Sequence, residues 1–274
     1  MEPQQRFSGC DASPGDACMV VYSPAYDGEA PGSAIRTAST AMETYSPYQR
    51  TDLSEVRVHD AGDLVLPSGD IWKAIDTIEA YSGKRYDEDR TPVMIASEHA
   101  LSYGAIRAAA ARYPDLHVVH FGAHADLKKE HNGATLATRT VMRRVWDLLG
   151  DRRIYQFGVR SGSREEFEWG VPPHVRMEHL AASSIDSCAE AVGCAPLYIT
   201  VDLSVVDPSG FPGTKYPNAG GVSFPRLHDA LMSFDALDVV GFDICGLFPG
   251  CDDGTGSSAA LAYKLLREML IAYA

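Results

Sequence analysis

Short apolar runs alternate with amphipathic stretches along most of this 274-residue chain, and this alternation constrains the fold more than any other feature. The runs are rich in β-branched and aromatic residues on both faces, as strands of a buried parallel sheet are. The sequence therefore predicts a single three-layer α/β/α domain with a mostly parallel sheet, spanning residues 1–274. Residues 1–15 lack the pattern and are expected to be loosely ordered. The predicted strands are 19–22, 93–96, 118–121, 154–157, 197–203 and 239–244.

Helical patterns fill the segments between these strands. Asp70 is a typical N-cap for a helix over 71–81, which Gly83 is expected to end. Ser163 and Glu166 have the spacing of a capping box that starts a short helix. Further helices are predicted over 101–113, 140–149, 224–234 and 257–273.

Charge and hydropathy exclude two classes of partner. With 24 basic and 37 acidic side chains, the net charge of −13 would repel a phosphate backbone, so nucleic-acid binding is not expected. No uncharged apolar run approaches the ~18 residues that a membrane span needs. Residues 1–9 lack the apolar core of a secretory signal. We expect a cytoplasmic protein with neither a membrane nor a nucleic-acid partner.

Histidine and aspartate side chains follow several predicted strands at their carboxyl ends, where open α/β sheets bind ligands. His99 comes shortly after 93–96, His124 and Asp126 follow 118–121, and Asp202 lies near the end of 197–203. Such side chains bind hard or borderline divalent cations. Each one alone is more commonly a hydrogen-bonded core residue or a helix cap, so spacing leaves both interpretations open.

A set of longer segments narrows the interpretation. In chain order they are 45–48, 60–63, 97–99, 120–127, 155–162, 165–169, 200–208 and 212–223. Together they resemble the ureohydrolase (arginase/agmatinase) superfamily, and the short bacterial agmatinases in particular. The resemblance implies the ureohydrolase fold. It also implies hydrolysis of guanidino groups to urea and an amine by a hydroxide shared between two manganese, or occasionally nickel, ions.

The resemblance is uneven at the site. The metal-ligand positions that match the family are His99, His124, Asp126 and Asp202. The positions that depart from it are Gly122 and Ser204 (metal-binding aspartates in the family), Thr138 (a proton-transfer histidine) and Gly246 (a glutamate that orients the guanidinium). Since two-metal sites need bridging carboxylates, we expect at most one divalent ion (manganese, or else nickel or zinc), or none. No catalytic residue is assigned.

Three functions are compatible with these departures. The first is a non-catalytic or regulatory pseudoenzyme, a homo-oligomer (trimer or hexamer by resemblance) or a hetero-oligomer with an active paralogue. The second is an active metal-dependent hydrolase of agmatine or another guanidino or amidino compound, releasing urea and an amine. The third is a small-molecule binding protein that uses the same pocket without chemistry. Deacetylase chemistry on this fold is disfavoured, because its single zinc uses the positions of Gly122 and Ser204.

Overall fold

The computed structural model describes residues 5–274, which form one eight-stranded sheet flanked by helices. The strands are β1 (Met19–Ala25), β2 (Tyr45–Ser46), β3 (Thr51–Asp52), β4 (Val58–Val65), β5 (Thr91–Ile95), β6 (His117–Phe121), β7 (Ile154–Phe157), β8 (Arg176–Glu178), β9 (Leu197–Asp202) and β10 (Val239–Cys245). Every pairing in the eight-stranded sheet is parallel, and the strand order is β4-β1-β5-β10-β9-β6-β7-β8. A two-residue antiparallel pair, β2 with β3, lies outside it.

Helices cover both faces of the sheet, and each face has its own hydrophobic cluster. Alternate residues of a strand point to opposite faces, so Val93 and Ile95 join one cluster and Met94 joins the other. The helices are α1 (Pro31–Ser39), α2 (Ile71–Asp87), α3 (Ser102–Arg112), α4 (Val141–Leu149), α5 (Arg164–Trp169), α6 (Ala182–Val192), α7 (Phe224–Met232) and α8 (Ser257–Ala272). Helices α2, α3 and α4 pack on the Met94 face, and α1, α6, α7 and α8 pack on the opposite face. The α/β three-layer prediction is confirmed.

The predicted strands are all present, with ends that differ by at most three residues; the strand over 154–157 matches at both ends. The prediction that Gly83 ends α2 was wrong. A Cβ at this glycine would meet nothing within 4 Å, and Tyr86 continues the buried face one turn later. A helical glycine costs only about 1 kcal/mol, which the burial of Tyr86 exceeds. Asp70 caps α2 as predicted, and the Ser163 capping box starts α5.

The beginning of the described chain is held against the body of the protein. The expectation of loose order covered residues 1–15, of which 1–4 lie outside the described residues. Phe7 is fully buried, and its backbone N–H donates to the Asp60 carboxylate at 2.9 Å. Arg36 also donates to Asp60 and stacks on the Phe7 ring. Residues within 5–12 therefore make contacts distant in sequence, which local patterns do not reveal. Within residues 5–274, no helix has the length and apolar character needed to cross a bilayer.

Candidate metal and substrate site

Four adjacent strands in the middle of the sheet, β5, β10, β9 and β6, bring the predicted site residues to one edge. Parallel strands share the direction of their carboxyl ends, so the segments that follow them meet there. His99 follows β5, Gly122 and His124 follow β6, and Asp202 is the last residue of β9. Gly246 comes directly after β10. Residues far apart in the sequence therefore lie close together at the carboxyl ends of these four strands.

Three buried side chains at this place have their potential ligand atoms within 4.8 Å of one another: His99, His120 and Asp126. Within residues 5–274 they form the single group of three metal-ligating side chains with this spacing. His99 Nδ1 lies 2.9 Å from Asp126 Oδ2, and the His99 and His120 rings stack with centroids 4.6 Å apart. All three are at most 1% exposed. The group contains two imidazoles and one carboxylate.

Asp126 is held in an uncommon backbone conformation. Its φ is +54°, a left-handed value that aspartate and asparagine tolerate better than most residues. Its carbonyl oxygen accepts hydrogen bonds from the Met142 and Arg143 amides at the start of α4. These bonds fix the turn that aims the carboxylate at His99.

His120 occupies the space beside Gly122. A Cβ on Gly122 would lie 2.3 Å from His120 Nε2 and 2.7 Å from Cε1, closer than atoms pack. The Gln156 side-chain nitrogen lies 2.9 Å from both His120 Nδ1 and the Ala125 carbonyl oxygen. A carbonyl can only accept, so the amide nitrogen donates to both atoms and the neutral His120 ring carries its proton on Nε2. That Nε2 atom is buried and has no hydrogen-bond partner among the described residues.

The end of β9 is joined to the segment after β6 by Ser204. Asp202 Oδ1 accepts from the Ser204 amide at 2.9 Å, and Ser204 Oγ accepts from the Ala123 amide at 3.2 Å. The Arg160 guanidinium donates to the Ser204 carbonyl at 2.8 Å and braces the same turn. Gly246 has a φ of +91°, and a Cβ there would lie 2.4 Å from Asp202 Oδ1. This position therefore favours glycine for its conformation, and a side chain there would also displace the Asp202 carboxylate.

His124 lies at the outer part of the site. Its ring packs edge-on against Tyr216 with centroids 6.5 Å apart, and the Arg139 guanidinium stacks over the same tyrosine. Burial, followed by the positive charge of Arg139, lowers the pKa of His124 to about 4. The nearby charge of Asp202 acts in the opposite direction but is outweighed. His124 is therefore neutral at physiological pH.

A cavity of about 370 Å³ opens beside these residues. Thr138 lies on its wall and donates a 2.6 Å hydrogen bond to Glu98, so its hydroxyl is already used. Lys215 bridges Glu98 and Glu29 at 3.6 and 3.3 Å. The described residues that line the cavity carry charges of both signs, and most of these are paired within its wall.

A buried carboxylate behind the site was not singled out from the sequence as a site residue. Asp243, in β10, accepts hydrogen bonds from the Ser102, Thr200 and Tyr198 hydroxyls at 2.8 to 3.0 Å. Burial raises the pKa of Asp243 even though these donors favour the charged form. Thr200 in turn lies 3.2 Å from His99 Nε2. The network fixes the ring of His99 from behind.

The sequence-predicted residues divide into two groups. His99 and Asp126 are brought together, whereas His124 and Asp202 are outside the group with metal-ligand spacing. His120 takes part in that group and was missed. The signal that could have found it is its position two residues before Gly122, because in extended chain this spacing places both residues on the same side.

The Arginase family model matches residues 27–272, most of the chain. The chain belongs to the arginase family. Within it, the chain is 37% identical to the agmatinase of Bacillus cereus over 242 residues, covering 87% of this chain and 83% of the relative. The agmatine ureohydrolase of Thermoplasma volcanium has a TM-score of 0.88 and 27% identity, covering 100% of this chain and 95% of that one. The proclavaminate amidino hydrolase of Streptomyces clavuligerus has a TM-score of 0.85 and 29% identity, covering 96% and 94%.

These similarities confirm the family expected from the sequence segments, and by homology the chain is an agmatinase-family member. Arginase-family proteins bind divalent metal ions such as manganese. The buried histidine and aspartate group in this arginase-family chain has donors of the right chemical type for a divalent ion.

Proposed function

We propose that this arginase-family protein does not carry out two-metal hydrolysis and acts as a non-catalytic or regulatory member of the agmatinases. The observation that carries the proposal is the pairing of Gly122 with His120. The family resemblance puts a metal-binding aspartate at position 122, and here the His120 imidazole fills the space that its Cβ would need. A carboxylate that bridges two cations has no place at this position.

The second aspartate position supports the same conclusion. Ser204 supplies a neutral hydroxyl there, and its oxygen already accepts from the Ala123 amide. Two cations held about 3.5–4 Å apart need bridging carboxylates to offset their mutual repulsion. The group with metal-ligand spacing contains one carboxylate, Asp126. The residues present do not fit a metal pair.

The substrate side of the site also argues against a guanidinium ligand. Gly246 stands where the family resemblance expects an orienting glutamate, and a side chain here would have to adopt a left-handed φ and displace the Asp202 carboxylate. Thr138, at the position of the proton-transfer histidine, donates its only hydroxyl proton to Glu98. The positive charges of Arg139 and Arg160 reach His124, where they help to lower its pKa. These charges partly offset the attraction that the carboxylates of Asp202, Glu29 and Glu98 would exert on a cationic substrate.

Assembly and location form part of the proposal. The fold around the site is complete, so surfaces shared with active relatives would allow homo-oligomers or mixed oligomers with an active paralogue. All six cysteines are free thiols, which suits the reducing cytoplasm. Size-exclusion chromatography with light scattering tests the homo-oligomer, and co-purification with an agmatinase from the same cell tests the mixed assembly.

A second candidate function is hydrolysis of agmatine or another guanidino or amidino compound with a single ion. It is favoured by two buried polar atoms without hydrogen-bond partners among the described residues, His120 Nε2 and Asp126 Oδ1. The relatives named agmatinase and proclavaminate amidino hydrolase mark the kinds of substrate to include in a test.

The deciding experiment measures urea and ammonia release from agmatine, 4-guanidinobutyrate, arginine and formamidine compounds, with manganese, nickel or zinc supplied. An agmatinase such as that of Bacillus cereus, purified in the same way, is the matched control. We expect release from agmatine by the control and none by this chain. Turnover by this chain that a chelator abolishes and Asp202→Asn removes would contradict the proposal and establish the second candidate.

A further inference from the structure

The buried group at the sheet edge has the spacing of ligands to one cation. The ligand atoms of His99, His120 and Asp126 lie within 4.8 Å of one another. Bonds of about 2.0–2.2 Å to a zinc ion place neighbouring donor atoms roughly 3–4 Å apart. Small movements of these side chains would therefore bring all three donor atoms to bonding distance from one ion. The three side chains come from two segments, the turn after β5 and β6 with the loop that follows it, and hydrogen bonds or packing hold each of them.

Two atoms of the group lack the partners that buried polar atoms normally have. His120 Nε2 and Asp126 Oδ1 are enclosed and accept or donate no hydrogen bond within residues 5–274. Leaving a buried polar group unpaired costs about 1–3 kcal/mol. A cation between the three side chains would satisfy both atoms at once. Burial of both residues, at 0% and 1% exposure, makes bulk water a poor substitute.

The donor set also selects among metals. Two imidazole nitrogens and one carboxylate oxygen suit zinc and other borderline cations, whereas manganese prefers a shell made mainly of oxygen. Replacing an aspartate by Gly122 removes oxygen donors, and the His120 ring that fills the space adds a nitrogen donor. The donor atoms of the site are therefore better suited to zinc than to manganese.

We propose that this chain binds a single zinc-class divalent ion through His99, His120 and Asp126, with His120 as a ligand that takes the place of the family's aspartate. The inference holds whether or not the chain hydrolyses any substrate. The fourth position is left to water or to a further ligand.

Binding requires rearrangements at both histidines. His99 Nδ1 donates to the Asp126 carboxylate, so binding through this atom releases its proton to solvent and replaces that hydrogen bond by the shared ion. A second change is needed at His120. Gln156 holds the neutral ring with its proton on Nε2, the atom that must ligate the ion. The ring therefore loses this proton and is reprotonated at Nδ1. The Gln156 amide turns so that Oε1 accepts from Nδ1–H, which breaks its hydrogen bond to Ala125. The ring carries one proton before binding and one after it: solvent takes the proton from Nε2 and supplies the proton on Nδ1.

The test uses the full chain, stripped of metal with EDTA and dialysed. Zinc is titrated by calorimetry, with manganese for comparison. Cobalt is titrated by visible absorption, because its spectrum reports the number and type of ligands. We expect one zinc per chain, weaker binding of manganese, and at least a tenfold rise in the zinc Kd for His120→Asn. His117→Asn, at the other end of β6, is the matched control and should change the Kd less than twofold.

A second variant keeps the test decisive if His120→Asn unfolds. Asp126→Asn suits the left-handed backbone at this position and removes only the carboxylate. It should also weaken zinc binding at least tenfold. Unchanged zinc binding in a folded His120 variant would overturn the inference, as would no binding by the parent chain. Two ions per chain would contradict both this inference and the proposed function, whereas zero ions would contradict this inference alone.

Discussion

Replacing Gly122 with alanine would place a methyl group in space that the His120 ring occupies. The new Cβ would lie 2.3 Å from Nε2 and 2.7 Å from Cε1, well inside van der Waals contact. The ring cannot move away freely, because it stacks on His99 and its Nδ1 accepts from Gln156. Overpacking of this kind costs about 1–3 kcal/mol, so the free energy of unfolding should fall by that amount.

Urea denaturation of the EDTA-treated protein measures the effect, since a change in midpoint at constant slope is a change in stability. Gly83→Ala in α2 is the matched control. Nothing lies within 4 Å of its Cβ, so the same substitution there should stabilise the protein by about 0.5–1 kcal/mol. The two glycine-to-alanine changes are expected to have opposite signs.

A double-mutant cycle with His120→Ala identifies the cause. With the ring removed, Gly122→Ala should cost less than about 0.5 kcal/mol, giving a coupling energy between the two sites of about 1–2 kcal/mol. An equal cost for Gly122→Ala in both backgrounds would refute the reasoning. The glycine would then be required for some reason other than the imidazole beside it.

Three further predictions concern other parts of the site. Because burial and neighbouring positive charge lower the pKa of His124 to about 4 from 6.5, the folded chain binds a proton less readily than the unfolded chain between these values. In EDTA, stability should therefore fall as the pH decreases from 6.5 to 4, by at most about 3 kcal/mol, and His124→Gln should reduce that slope. The Glu166 carboxylate accepts hydrogen bonds from the buried Leu127 amide and from the amide of Ser163, the N-cap of α5. Glu166→Ala should therefore lower the free energy of unfolding, measured in urea, by about 2–4 kcal/mol. No change would show that water replaces these bonds. Gly246→Ala should cost about 1–3 kcal/mol, because of its left-handed φ and its contact with Asp202; a neutral result would remove the steric argument against a side chain there.

Local patterns predicted the central strands, the Asp70 cap and the Ser163 capping box, because these depend on short-range periodicity and hydrogen bonding. Elements that depend on distant contacts were not predicted, among them the short edge strand β8 and helix α6. The end of α2 was misplaced because the tertiary burial of Tyr86 outweighs the helix-breaking tendency of Gly83.

At the site, the family resemblance marks His99 and Asp126, which the structure brings within hydrogen-bonding distance; their role as metal ligands stays a prediction. The sequence did not identify His120. The spacing places His120 on the same side of the chain as Gly122, but it does not show that the His120 ring enters the space that a Cβ at Gly122 would occupy. Nor did the sequence single out Asp243 as a site residue. The three hydroxyl groups that donate to Asp243 come from β9 and α3. Both residues depend on packing between strands that are distant in sequence.

The central claim is that this chain cannot hold the metal pair of its family. Native mass spectrometry after loading with manganese, nickel and zinc, with the Bacillus cereus agmatinase as control, tests it most directly. We expect two ions in each control chain and no more than one in each chain of this protein. Two ions bound per chain, lost together in Asp202→Asn, would show that the site retains a dinuclear centre and would contradict the claim.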